Sequence, residues 1–390
     1  MSEQQYSDIA PFDADIFDVK MRQLVDEPGF EHAIRYIMPE VDYEQLKLQL
    51  LSVHNTTEFQ HSIMFPVLER LAKATTGEIT SSGLGNIDRS HAHVYMTNHR
   101  DIVLDASFLN LCFLREGIES SEIALGDNLL IYDWIESLVK LNKGFIVKRN
   151  LRMTKAFEAA IHLSDYIHHT ICDKNQSIWI AQREGRAKDS NDRTQDSLIK
   201  MLMLRCPEGG TIIDSIRELH ITPTAIAYEY DPTDYLKVRE YLLRRRDPEF
   251  RKSPHDDLLS METGIVKYHG RVHFGISECI NGELATLEGV TDKNEVARAI
   301  CDMIDRRIYL NYRIYPINYI ALDMLEYPDA PRFAGHYSEV ELAAVSDYFN
   351  TQLDRVDVAG ITDEEREFMM RMMLTMYSNP LRNQLAVMQK

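Results

Sequence analysis

Between residues 91 and 276, short apolar runs alternate with longer amphipathic stretches, a pattern that leaves a chain few options besides a sheet covered by helices. Runs at 93–97, 122–124, 145–147, 177–181, 221–228 and 271–276 read as strands, the last with strict alternation in Arg-Val-His-Phe-Gly-Ile. Apolar residues at steps of three and four fill the intervals at 104–114, 131–141 and 154–172, which read as helices. The fold class is α/β, with a mixed central sheet flanked by helices.

The flanking regions read differently. In 41–53, Leu46, Leu48, Leu50 and Leu51 are spaced along a charged helix, and in 57–74 the residues Phe59, Ile63, Met64, Val67, Leu68 and Leu71 make an apolar stripe. The stretch 75–90, with Ser81-Ser82-Gly83-Leu84-Gly85, reads as a boundary loop. Its Gly-x-Gly lacks a third glycine and a following βαβ pattern, so a dinucleotide site is excluded. Helical spacing returns at 294–310, 317–325, 338–353 and 362–377. The expected organisation is therefore a helical N-terminal region (1–85), an α/β domain (86–285) and a helical C-terminal region (286–390).

Lys and Arg number 43 against 61 Asp and Glu, a net charge of −18 that repels nucleic-acid phosphates and excludes nucleic acid as a partner. No apolar run reaches the roughly 18 to 20 residues of a membrane span, and the first residues carry neither a basic nor an apolar leader segment. A cytoplasmic protein is expected. Five scattered cysteines without a Cys-x-x-Cys pair read as reduced packing residues. The basic stretch 237–252 (KVREYLLRRRDPEFRK) reads either as a solvated helix face or as a contact for lipid head groups or an anionic carrier protein.

Four polar stretches terminate apolar runs. In the first, Asn98-His99-Arg100-Asp101 with Asp105, a histidine follows a strand and precedes a helix; either aspartate could orient its ring as a general base. The others are Gly144-Phe-Ile-Val-Lys-Arg149, Ala181-Gln-Arg-Glu-Gly-Arg-Ala-Lys188 and Ile221-Thr-Pro-Thr-Ala-Ile-Ala-Tyr-Glu-Tyr230. Arg183, Arg186, Lys188 and Arg193 form a basic cluster inside an acidic protein, and a guanidinium at a strand end suits a phosphate. His-Arg-Asp also opens the protein-kinase catalytic loop, but Ala106 stands where that loop needs asparagine, and no Asp-Phe-Gly follows. A rival chemistry is a metal-dependent hydrolase built on His91, His93 and His99.

In this order, the four stretches over residues 90 to 280 resemble the sequence blocks of the glycerolipid acyltransferase superfamily, which includes glycerol-3-phosphate and lysophosphatidate acyltransferases. The resemblance implies an acyltransferase of phospholipid biosynthesis that moves a fatty acyl group from acyl-CoA or acyl carrier protein to a hydroxyl of a glycerophosphate-type acceptor. It implies His99 as base with Asp105 as partner, Asp101 being the alternative, because Asp105 stands one residue later than the family pattern and an extra helical residue turns a side chain by about 100°. For substrate it implies Arg100, Gly144 and Arg149, then Glu184 and Gly185, with Arg186 or Lys188 as the phosphate-binding cation. Pro223 and its apolar neighbours would border the acyl chain. No metal or cofactor is required, peripheral contact with the inner membrane face is consistent with the family, and a catalytically inactive lipid-binding relative is the alternative.

Overall fold

A computed structural model describes residues 3–149 and 151–389. Its centre is a sheet of seven strands: β1 (Glu78–Ser82), β2 (Val94–Thr97), β3 (Glu122–Gly126), β4 (Gly144–Val147), β5 (Ile178–Ala181), β6 (Thr222–Tyr228) and β7 (Arg271–Ile276). They lie side by side in the order β1-β7-β6-β2-β5-β3-β4. The strands β2 to β6 run parallel, β7 is antiparallel to β6, and β1 is parallel to β7. The fold is thus α/β with a mixed sheet. β2 and β6 are buried along their whole length, which explains why the central strands read as apolar runs.

The two faces of the sheet carry separate cores. Val94, Met96, Ile178 and Ile180 meet helices Met153–His168, Asp196–Leu202, Ile212–Arg217 and Lys293–Leu310 on one side. Tyr95, Trp179, Ile226 and Phe274 meet Leu104–Arg115 and Phe65–Thr75 on the other. This alternation follows from the period of two in a strand. A third core joins Pro316–Glu326, Glu339–Asp354 and Asp363–Met388 to Val238 and Leu242 of helix Asp234–Arg246. A fourth gathers Phe17, Leu24, Tyr43 and Leu50 of the N-terminal helices around Leu141.

Two boundaries differ from the sequence reading. The expected loop 75–90 contains β1, which pairs with β7 through backbone groups and needs few apolar side chains to do so. Helix Lys293–Leu310, assigned by sequence to the C-terminal region, packs on the sheet through Val296, Ile300, Ile304 and Ile308. Among the described residues, no helix is long and apolar enough to cross a membrane.

Candidate active site

The strand order reverses at β2: the chain leaves it for β3 on one side, then returns after β5 to β6 on the other. Crevices at such reversals, beyond the carboxyl ends of the strands, are where open α/β sheets take ligands. His99 stands there, two residues past β2. Asn98 fixes the strand end by acting as a peptide: its Nδ2 donates to the Ile226 carbonyl (2.9 Å) and its Oδ1 accepts from the Ile226 amide (2.8 Å).

His99 Nδ1 lies 2.8 Å from Oδ2 of Asp105, which also accepts from the Arg100 amide (2.6 Å). Asp105 is fully buried, whereas the His99 side chain keeps 13% of its exposure and lines a pocket with Trp179 against its ring. With Nδ1 donating to a carboxylate, Nε2 holds the lone pair. Residues 101–103 are not helical, so the extra residue before Asp105 is absorbed ahead of helix Leu104–Arg115 and the helical rotation does not apply. Asp101 instead accepts at Oδ1 from the amides of Val103 (2.8 Å) and Leu104 (2.7 Å), capping that helix. Burial, then the charge of Asp105, push the Asp101 carboxyl up to about 6. Burial also lowers His99 from its ordinary 6.5, Asp105 opposes this, and Arg186 and Lys237 add to it. We expect Asp105→Asn to lose most turnover, while Asp101→Asn, still able to cap, keeps it; equal losses in steady-state assays would contradict the pairing.

The pocket holds about 690 Å³. One wall is apolar, built by Ala156, Ala159, Ala160 and Leu163 of Met153–His168 with Leu198 and Met201 of the next helix. The polar lining is mixed, with Arg149, Arg183, Arg186, Lys188, Arg239 and Lys252 standing among Glu184, Glu240, Asp256 and Asp257. These charges are not equally available. Arg186 donates to Thr233 Oγ1 (3.1 Å) and stands 3.9 Å from Asp257, and Lys188 is paired with Glu240. Arg149 reaches Glu184 only at 3.4 Å. Arg183 makes no hydrogen bond or ion pair among the described residues, and its Nε is buried without a partner. The position was visible in the basic cluster, but its availability was not, since the carboxylates that occupy its neighbours lie 50 or more residues away. Glu184 is exposed, and Gly185 turns the loop at φ +67°, a conformation that favours glycine. Gly126 makes room for Arg149, because a Cβ there would sit 2.5 Å from its Nε.

Several expected residues lie elsewhere. Arg100 is buried away from the pocket with its guanidinium bound to both oxygens of Asp192 (2.7 and 2.5 Å), so it is committed to the protein rather than to substrate. Gly144 opens β4 beneath Val139, whose Cγ1 would lie 2.2 Å from a Cβ, so close packing explains it. Pro223 is enclosed within β6, and no residue of that strand lines the pocket; the apolar wall comes from the 156–163 stripe instead. His91 and His93 precede β2 at its amino end, opposite His99. His91 stacks on His220, and His93 contacts Thr222 Oγ1 and the Asp88 carbonyl (2.9 Å each), so the three histidines do not converge on a metal.

The basic stretch 237–252 is solvent-exposed over 244–249 and at Arg251, but its cations are paired and do not form a free patch. Arg239 pairs with Asp256, Arg244 with Glu240, Arg245 with Glu364, Arg246 with Glu365 and Lys252 with Asp257. Lys237 is buried and bridges the site to the C-terminal helices. Its Nζ donates to the Arg100 carbonyl (3.2 Å) and to both oxygens of Asp231 (2.8 and 2.6 Å). The Asp231 amide donates to the Tyr377 hydroxyl (2.8 Å), and neighbouring Asp234 accepts from Tyr377 (2.8 Å), Tyr348 (2.5 Å) and Lys267 (2.5 Å).

No family model matches the chain, and no curated protein matches it. Among solved structures the chain is similar to the 1-acyl-sn-glycerophosphate (LPA) acyltransferase PlsC from Thermotoga maritima. The TM-score is 0.37 at 10% identity, covering 75% of this chain and 95% of that one, a likeness too remote to assign an activity.

Proposed function

We propose that the protein is an acyltransferase that moves a fatty acyl group from a thioester, acyl-CoA or acyl carrier protein, to a hydroxyl of a glycerophosphate-type acceptor in phospholipid biosynthesis. The observation that carries this reading is the His99–Asp105 pair opening onto a pocket that has an apolar wall and, in Arg183, a cation without a partner among the described residues. The order of the four sequence stretches supports it. His99 Nε2 takes the proton of the acceptor hydroxyl as its oxygen attacks the thioester carbonyl. The resulting tetrahedral adduct then expels the thiolate, which recovers the proton from Nε2. Asp105 holds the tautomer and stabilises the imidazolium. The acyl chain lies along the Ala156–Leu163 wall and the acceptor phosphate against Arg183 and Arg149. Binding energy spent there orients the hydroxyl toward the base.

The test is thioester release by the purified protein from palmitoyl-CoA and palmitoyl-acyl carrier protein, with glycerol-3-phosphate, its 1-acyl form and uncharged glycerol as acceptors. Acceptor-dependent release confined to the phosphorylated acceptors supports the proposal; no release with any pair refutes it and favours an inactive lipid-binding relative. Replacing Arg183 by Met should raise the acceptor KM roughly ten- to a hundredfold with kcat little changed, the loss of a charge-assisted hydrogen bond. Equal KM values would remove Arg183 from the phosphate site. Because His99 is lowered from 6.5, the base is unprotonated at neutral pH, and the acid limb of kcat/KM should fall below pH 6.5. A limb above that value would assign the titration to another group.

A further inference from the structure

A second cluster lies on the far end of the helix that forms the apolar pocket wall. Met153–His168 loosens there into a π-turn, His169–Asp173, and Glu218 caps the neighbouring helix Ile212–Arg217. His168, Cys172 and Glu218 each turn a donor atom inward, and these atoms lie within 4.8 Å of one another. We propose that they form a zinc site that clasps the two helices together.

The imidazole is already oriented for such a role. Nε2 of His168 lies 2.9 Å from the Leu202 carbonyl, which can only accept, so Nε2 carries the hydrogen and Nδ1 is the nitrogen that can offer a lone pair to a metal. Ligating histidines are commonly held this way, with the second nitrogen donating to a backbone carbonyl. Nδ1 faces a carboxylate oxygen of Glu218 in direct contact. This contact is a hydrogen bond, and a metal ion would take the place of its hydrogen. Cys172 supplies the third ligand atom. It follows His168 by one turn, is exposed, and its sulfur lies 4.0 Å from the Glu218 carbonyl.

One imidazole nitrogen, one thiolate and one carboxylate oxygen form a mixed set suited to Zn²⁺. At bond lengths of about 2.0 to 2.3 Å, tetrahedral ligand atoms stand roughly 3.3 to 3.8 Å apart, so rotations of the exposed Cys172 and half-buried Glu218 side chains close the set. Binding forms one bond to each donor and releases to solvent the thiol proton and the proton shared by His168 and Glu218. Water would complete the tetrahedron as the fourth ligand. The site does not include His99, so it is independent of the acyl-transfer reading. Its effect is to brace the helix whose other end lines the pocket.

The full chain, stripped with EDTA and desalted, is titrated with Zn²⁺ and with Co²⁺ as a spectroscopic substitute. We expect zinc bound at one ion per chain, an increase in Tm, and a thiolate-to-cobalt charge-transfer band. Cys172→Ser and Glu218→Gln should keep the metal-free Tm but lose the band and the zinc-induced shift, while Cys206→Ser retains both. Wild type binding no more zinc than Cys172→Ser, a cobalt complex without the sulfur band, or loss of the band in Cys206→Ser would each overturn the assignment.

Discussion

His99→Ala should lower acyl transfer by about 10² to 10⁴, the usual contribution of a positioned general base, while the protein stays folded. The side chain stands at the pocket wall with a ring contact to Trp179 and one polar partner, so its removal enlarges an existing opening rather than the core. Asp105 keeps the Arg100 amide as a donor to Oδ2, so the fold should survive with some loss of stability. Because the histidine acts on the proton moved in the transition state, kcat should fall much more than KM changes. Thioester release, read beside circular dichroism, decides the matter: a folded variant with undiminished turnover would falsify the role of the base.

A loss of stability on the order of 3 to 5 kcal/mol is expected for Asp192→Ala, the range found when one member of a buried ion pair is deleted. Both partners are buried, the contact is bidentate, and Asp192 also accepts from the Tyr312 hydroxyl. Without the carboxylate, the Arg100 guanidinium remains enclosed with no charge partner. Urea unfolding should show a lower midpoint at an unchanged slope. A change below about 1 kcal/mol would mean that Arg100 relaxes to solvent, as exposed ion pairs do. Since Arg100 follows His99 directly, turnover should fall in the folded fraction as well.

The central strands were legible because burial on both faces writes itself into sequence as continuous apolar runs, as in Ile-Trp-Ile-Ala of β5. The edge strand β1, Glu-Ile-Thr-Ser-Ser, was not, since backbone pairing to β7 leaves no apolar signature. The histidine was legible from its place after a strand. Its partner stayed ambiguous because spacing alone does not say where the helix begins, and three non-helical residues decided it. Charges were the least legible. Arg186 and Arg183 look alike in sequence, and only the fold brings Asp257 and Thr233 to the first and leaves the second without a partner. Residues 237–252 look like a cationic surface until Glu364 and Glu365 arrive from the last helix.

Lys237 grips the Arg100 carbonyl through a network that ends on the hydroxyls of Tyr348 and Tyr377. A nascent chain can lay down the sheet and expose His99 at its rim long before the helix bearing Tyr377 leaves the ribosome. Until then Asp231 and Asp234 lack those hydroxyls, and the peptide beside the histidine lacks its finished support. Competence is therefore acquired late, as the last helix docks, so an unfinished or C-terminally clipped chain should be an idle one even with every residue of the pocket in place.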